Sequence, residues 1–101
     1  MKLVGVMSLA HVRKSVRSVF ERHDVHIYSE IDITGHTQET IRQYGWWVAE
    51  GDGVPLYSTL FFAVLPADKA EEIMDDVAAG HDEWDAEHPP RAFLIDVEKM
   101  V

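Results

Sequence analysis

The chain of 101 residues contains no cysteine. Disulfide bonds and thiolate metal sites are therefore excluded, although this absence does not fix a compartment. No apolar run approaches the ~20 residues that a membrane-spanning helix needs, and the first residues lack the layout of a signal peptide. We therefore expect a single cytoplasmic domain over residues 1–101, with no membrane insertion.

Basic residues are scarce as well. Nine lysines and arginines stand against eighteen acidic residues, for a net charge of −9, and many of the acids lie between Glu71 and Glu87. A surface that binds nucleic-acid phosphates needs clustered lysine and arginine, so the composition argues against a nucleic-acid partner. The simplest interpretation of the acidic run is a solvated face that aids solubility.

Signatures of catalysis are also missing. Serine, histidine and aspartate are present, but no nucleophile-elbow motif or recognisable nucleophile–base pair occurs. The adjacent carboxylates Asp75 and Asp76 fall on the expected polar face of a helix, where solvent should surround them. We therefore expect a protein that is not an enzyme.

Hydrophobic periodicity predicts six elements in the order strand–helix–strand–strand–helix–strand. The predicted strands are Lys2–Ser8, His26–Thr34, Leu56–Leu65 and the alternating run through Phe93, Ile95 and Val97. The apolar stripes of the two helices are Val12, Val16, Val19 and Phe20, and then Ala70, Ile73, Met74 and Val77. Asp68 and Glu71 resemble a capping box at the start of the second helix, and Gly80 is a natural stop.

This order predicts an α+β, ferredoxin-like βαββαβ fold, in which a four-stranded antiparallel sheet carries both helices on one face. The strand Leu56–Leu65 is nearly all apolar on both of its faces. Two helices can cover only one face, and leaving several large side chains exposed on the other would forgo roughly 1.5–3 kcal/mol each. We therefore expect a homo-oligomer that buries the second face.

The segment from Gly35 to Pro55 is unusually long for a connection between two strands. It spans 21 residues, whereas loops in compact domains usually run about 4–6 residues, and much longer ones tend to be functional or disordered. Its aromatic residues Tyr44, Trp46 and Trp47 are unlike a disordered linker. They suit a surface that contacts a partner, or else strands that extend into the segment and pack on a neighbouring subunit.

Over nearly its whole length the sequence resembles the PII-like signalling proteins, which comprise the nitrogen regulatory PII family and its relatives. The resemblance lies in the order and spacing of several segments. These are the opening Met1–Val4 strand, the Val12–Glu21 helix, Ser29–Ile31 running into Gly35–Gln38, Phe61–Asp68 and Arg91–Val97. It implies a homotrimer whose three sheets face one another, with ligands bound in clefts between subunits.

The resemblance also implies roles for particular residues. Residues 35–55 correspond to the family's T-loop, which contacts a transporter or enzyme according to the ligand that is bound. The implied ligand contacts are Gly35, His36, Thr37, Gln38 and Arg91, and the implied partner contacts are Tyr44, Trp46 and Trp47. The expected function is that of a regulatory protein that senses a small ligand and signals through residues 39–55.

The sequence departs from the family where nucleotide phosphates would bind. Members that bind ATP or ADP use a turn rich in glycine and lysine, because backbone N–H groups and lysines supply donors and positive charge. Here the turn His81–Pro90 contains no glycine, two prolines and four acids, and only Arg91 matches a basic contact. The basic segment that would follow Val101 is also missing from this sequence. The ATP site is therefore incomplete, and Trp84 is a candidate to cover the vacated cleft.

Two alternatives remain open from the sequence. The first is a metal-binding protein of the CutA-like or efflux-associated PII-like type, in which His81 and His88 would bind a divalent cation together with the acids between them. Against it stands the simpler interpretation of a solvated loop. The second is a ferredoxin-like stress-response or monooxygenase-type dimer that shares only the fold.

Overall fold

The structure is a computed structural model, and it describes residues 1–35 and 56–101. The elements are β1 (Lys2–Leu9), a 3₁₀ turn (Ala10–Val12), α1 (Arg13–Arg22), β2 (Ser29–Gly35), β3 (Leu56–Leu65), α2 (Ala67–Ala79) and β4 (Arg91–Asp96). The four strands form one sheet in the order β2–β3–β1–β4, and every neighbouring pair is antiparallel. The predicted ferredoxin-like βαββαβ fold is confirmed.

The core lies between the helices and one face of the sheet. Both predicted helical stripes are buried there, except that Met74 is only partly buried. The strands contribute alternate residues to the same core, namely Val4, Val6, Phe61, Ala63 and Leu65. Because side chains alternate between the two faces of a strand, the intervening residues of β1 and β3 must point away from the helices.

We call this other side of the sheet the open face, and its large apolar members include Leu3, Met7, Ile31, Ile33, Leu60, Phe62, Val64, Phe93 and Ile95. Cross-strand pairing places them together, since paired residues share a face. Within the single chain Phe62 and Phe93 are 37% and 36% exposed, and Ile31 and Ile95 are each 50% exposed. The expectation that helices cover one face only is thus confirmed.

A close approach shapes the centre of the open face. Gly5 is paired with Phe62 on one side and with Phe93 on the other. A Cβ atom placed on Gly5 would collide with the ring of Phe93. The missing side chain therefore makes room for the Phe93 ring to lie across β1.

Strand β2 begins later than the sequence predicts, at Ser29 rather than His26. The chain leaves α1 through Asp24 in the left-handed region (φ 58°), and the N–H of Val25 returns to the carbonyl of Phe20. Ile27 is consequently 91% exposed and outside the sheet. Tyr28 instead stacks on Phe20, with ring centroids 4.9 Å apart.

Helix α2 starts without the predicted capping box. Its N-cap is Pro66, with no side-chain hydrogen bond, and Asp68 lies inside the first turn. A carboxylate in the first turn still interacts favourably with the helix dipole. Gly80 follows the helix with φ 76°, so the predicted stop is confirmed. Neither α1 nor α2 is long and apolar enough to cross a membrane, and no other α-helix occurs in residues 1–35 and 56–101.

Gly5→Ala should lower the free energy of unfolding by about 1–3 kcal/mol, because the added methyl group must displace the Phe93 ring. The same change in a Phe93→Ala background should be nearly neutral. Urea unfolding of the four proteins in this cycle measures the difference. An equal loss in both backgrounds would show that the ring does not limit the space at Gly5.

Candidate functional site

The segment His81–Pro90, which we call the 81–90 loop, joins α2 to β4 and is attached to the helices by two sets of contacts. The first involves Trp84, whose side chain is buried with 8% exposure. Nε1 of Trp84 donates a hydrogen bond to Oγ of Ser15 on α1 at 2.8 Å. That hydroxyl donates in turn to Oε1 of Glu83 at 2.7 Å. The indole therefore packs onto the helix layer with its polar atom satisfied.

The second set of contacts centres on Asp76 of α2. Nη2 of Arg22 donates to both carboxylate oxygens at 3.0 Å, and Nε2 of His23 lies 2.7 Å from Oδ2. Nε2 of His81, at the start of the loop, lies 2.8 Å from Oδ1. One carboxylate thus ties together the end of α1, the middle of α2 and the loop.

This geometry corrects the prediction that both Asp75 and Asp76 are solvated. Asp75 is exposed, but the side chain of Asp76 is only 15% exposed. Burial by itself raises the pKa of Asp76, yet the hydrogen bonds from His23, Arg22 and His81 outweigh it and lower the pKa to about 2. Asp76 is therefore a stably ionised anchor for the loop.

Within the loop, Asp85 bonds to the loop's own groups. Oδ1 of Asp85 accepts from the N–H of Glu87 at 2.9 Å, and Oδ2 lies 3.1 Å from Nδ1 of His88, which is buried with 6% exposure. The Glu87 N–H and His88 lower the pKa of Asp85, and the Ser15 hydroxyl lowers the pKa of Glu83. These acids stay negative at neutral pH, so the loop carries negative charge.

The two histidines proposed as metal ligands have different carboxylate partners. His81 bonds to Asp76 and packs against Trp84, with ring centroids 4.3 Å apart and the rings tilted by 49°, whereas His88 bonds to Asp85. In residues 1–35 and 56–101 no group of three or more histidine, aspartate or glutamate side chains is arranged to hold a metal ion. The described geometry gives the metal hypothesis no support.

The implied ligand contacts lie at the two edges of the sheet. Gly35 ends the edge strand β2 and Arg91 begins the opposite edge strand β4. Three strand spacings of about 4.8 Å separate those edges, which is roughly 14 Å. Within one chain these two positions do not meet. His36, Thr37, Gln38, Tyr44, Trp46 and Trp47 lie outside the described residues.

Arg91 differs from the other arginines of the described part of the chain. Arg13, Arg17 and Arg22 form ion pairs with Asp32, Glu30 and Asp76. Arg91 is exposed and forms no ion pair with any described residue. Its pairing with Met7 also places it at the edge of the open face, where it is the only charged strand residue described.

A cavity of about 310 Å³ lies between α2, the 81–90 loop and the start of β4. Met74, Val77 and Ala78 line it from the helix, and Trp84, Pro89 and Pro90 line it from the loop. Arg91 and Ala92 line it from the strand.

Three residues of this site carry no local signal in the sequence. Ser15, Arg22 and Asp76 each bond to residues that are 53 or more positions away in the sequence. Asp76 also bonds to His81, which is close in the sequence. A polar residue on a helix looks solvated until the loop that covers it is known. Only Trp84, a large aromatic among acids, could have indicated that this loop is packed rather than free.

No protein-family model and no curated protein matches the sequence. Among solved structures, a protein from Thermus thermophilus is similar over 95% of this chain and 85% of its own, with a TM-score of 0.63 and 17% identity. Its assignment as a PII-like signaling protein is itself an inference. At this identity the similarity establishes the fold. The chain has the fold of a PII-like protein, as the resemblance in its sequence predicts.

Asp76→Asn should lower the free energy of unfolding by about 2 kcal/mol at neutral pH, the equivalent of a pKa near 2 against an ordinary value of 3.8. Since the folded pKa is the lower one, this stability is present above pH ~4 and is lost as the pH falls from about 4 to 2. The difference in urea stability between wild type and variant should shrink over that window.

The neighbouring Asp75→Asn is the matched control, because Asp75 is exposed on the same turn of α2. Its effect should stay within about 0.5 kcal/mol, as for most surface substitutions. Similar profiles for the two variants would show that the Asp76 contacts contribute nothing to folding.

Ser15→Ala should cost about 1–3 kcal/mol, because it leaves the buried Trp84 N–H without its acceptor. Trp84→Phe removes that donor, so Ser15→Ala should cost distinctly less in the Trp84→Phe background. Chemical unfolding of the two single variants and the double variant gives the coupling energy. A coupling near zero would contradict the proposed anchor.

Proposed function

We propose that this chain is a cytoplasmic regulatory protein of the PII-like type, which binds a small ligand between subunits and signals to a partner through residues 39–55. It acts by binding and not by catalysis. The observation that carries the proposal is the open face, which in a PII-like fold leaves large apolar side chains uncovered in the single chain. Two steps lead from that face to a ligand site.

The first step is self-association. Four side chains of the open face are between 36% and 50% exposed, and exposed contiguous apolar surfaces of this kind mark interaction sites. The open face carries no carboxylate among the described strand residues, so a second copy can approach without burying an unpaired acid. Three copies around a threefold axis would bury all three faces together, which is the homotrimer that the resemblance implies.

The second step is completion of the ligand site. Gly35 and Arg91 lie on opposite edge strands and do not meet within one chain. In a trimer built through the open face, an edge of one sheet approaches an edge of the next. A cleft that includes both residues therefore requires two subunits, in agreement with the implied ligand contacts.

Signalling then needs a difference in ligand affinity between two conformations. A ligand that contacts the end of β2 at Gly35 can favour one conformation of the segment that follows it, by no more than its differential affinity for the two. A transporter or enzyme that binds only that conformation would respond to the presence of the ligand. Tyr44, Trp46 and Trp47 are the proposed contacts, since aromatic side chains are enriched at interface centres.

Phe62→Lys should dissociate the oligomer, because burying a lysine at the centre of the interface leaves its charge unpaired. Wild type should elute and scatter light as three copies of the 11.5-kDa chain, and the variant as one. Ala79→Lys is the matched control, since it adds the same charge at an exposed position on α2 and should remain a trimer. A monomeric wild type would overturn the proposal, and a dimer would favour the stress-response or monooxygenase-type alternative.

A further inference from the structure

The 81–90 loop is attached to both helices, so the contact between those helices affects it. Nε1 of Trp84 donates to Oγ of Ser15 on α1, and Nε2 of His81 lies 2.8 Å from Oδ1 of Asp76 on α2. A shift of α1 relative to α2 would change the distance between these two attachment points. The groups that hold α1 against α2 therefore also control how firmly the loop is held.

His23, the C-cap of α1, is one of these groups, and each nitrogen of its ring faces a carboxylate of α2. Nε2 lies 2.7 Å from Oδ2 of Asp76, and Nδ1 lies 3.7 Å from Oε2 of Glu72. A neutral imidazole has a single N–H, so one of its nitrogens would face a carboxylate with a lone pair. The imidazolium presents an N–H and a positive charge to both. The geometry therefore fits the protonated ring.

Other charged groups share these carboxylates. Nη2 of Arg22 donates to both oxygens of Asp76, and His81 faces the same carboxylate from the loop. Nζ of Lys69 lies 3.0 Å from Oε2 of Glu72. Arg22 and Lys69 oppose a further positive charge, whereas the two carboxylates favour it, as does the negative end of the helix dipole at the C-cap of α1. Arginine and lysine stay charged at neutral pH, so the charge that changes between about pH 5 and 8 is that of histidine.

We propose that His23 forms a proton-dependent salt bridge between α1 and α2, which sets how firmly the 81–90 loop is held. At about pH 6 the protonated ring binds Asp76 and Glu72 together. Towards about pH 8 the ring loses the Nδ1 proton to solvent, keeps its hydrogen bond to Asp76 and releases Glu72. The helices then separate more often at this end, and the loop opens with them.

The direction of the effect follows from the proton balance. In the closed arrangement two carboxylates face the His23 ring, whereas in the open arrangement water surrounds it, so opening releases a proton. An opening that releases a proton becomes more frequent as the pH rises. This regulation goes beyond the proposed function and does not depend on it, because all of these contacts lie within one chain.

The test is hydrogen exchange of the Trp84 indole N–H, followed by NMR between about pH 6 and 8. The exchange rate of a free indole N–H at the same pH is divided by each measured rate, which removes the intrinsic effect of pH on exchange. The resulting protection factor reports how often the loop opens. In the wild type it should fall about three- to tenfold across this range, because charge-assisted hydrogen bonds are stronger than neutral ones.

Three variants assign the effect. His23→Gln keeps a donor for Asp76 but cannot gain a charge, so its protection factor should change by less than about twofold over the same range. Glu72→Gln leaves His23 in place and removes the second carboxylate, so it should also reduce the pH dependence. His26→Gln is the matched control, because His26 is exposed and lies outside these contacts, 3.9 Å from Asp24. It should keep the wild-type profile, and circular dichroism checks that each variant is folded.

A wild-type protection factor that does not change with pH would overturn the inference. An unchanged dependence in His23→Gln, or its loss in His26→Gln, would do the same. His81→Gln separates the two rings that share Asp76. A pH dependence that survives this change supports His23, whereas one that disappears with it would assign the proton to His81 and contradict the proposal.

Discussion

The structure depends on a mismatch between one sheet with two apolar faces and a single layer of helices. Strand β3 alternates between Phe61, which is fully buried under the helices, and Phe62, which is 37% exposed on the open face. Two helices of 10 and 13 residues cannot cover both faces. The side chains of the open face must meet another surface or stay in water at a loss of roughly 1.5–3 kcal/mol each. The proposed oligomer, and the proposed ligand cleft between its subunits, rest on this constraint.

The 81–90 loop is a packed segment without the composition of a phosphate-binding turn. A phosphate-binding turn needs free N–H groups and lysines. In this chain Trp84 bonds to Ser15 and His81 bonds to Asp76, and the loop acids Glu83 and Asp85 bond to neighbouring groups. These contacts stabilise a packed loop that carries negative charge. The loop also forms one side of the cavity against α2.

Much of the fold could be predicted because its signals are local. The valine stripe of α1 and the alternation of β3 each follow from the period of one element. The start of β2 could not be predicted, because it depends on how the chain leaves α1 at Asp24. The predicted capping box at Asp68 was wrong, because Pro66 is the N-cap and Asp68 already lies in the first turn of the helix.

The site was harder to predict than the fold because its bonds join distant parts of the chain. Trp84 and Ser15 are 69 positions apart, and His23 and Asp76 are 53 apart. The hydrophobic periodicity of a helix or strand carries no information about pairs so far apart in the sequence. Arg91 was identified through the resemblance to a family, and only the structure shows that it has no ion-pair partner among the described residues. Gly35 and Arg91 lie at opposite edges of the sheet because of the strand order. The predicted ferredoxin-like topology already contained that order.

The most direct measurement is isotope-filtered NMR on a mixture of ¹³C-methyl-labelled and unlabelled chains, which reports only contacts between different copies. We predict intermolecular contacts for methyl groups of the open face, such as those of Ile31, Leu60 and Ile95, and none for Val16 or Ile73 in the core. Contacts that are absent, or that come only from the outer surfaces of α1 and α2, would contradict a trimer built through the open face.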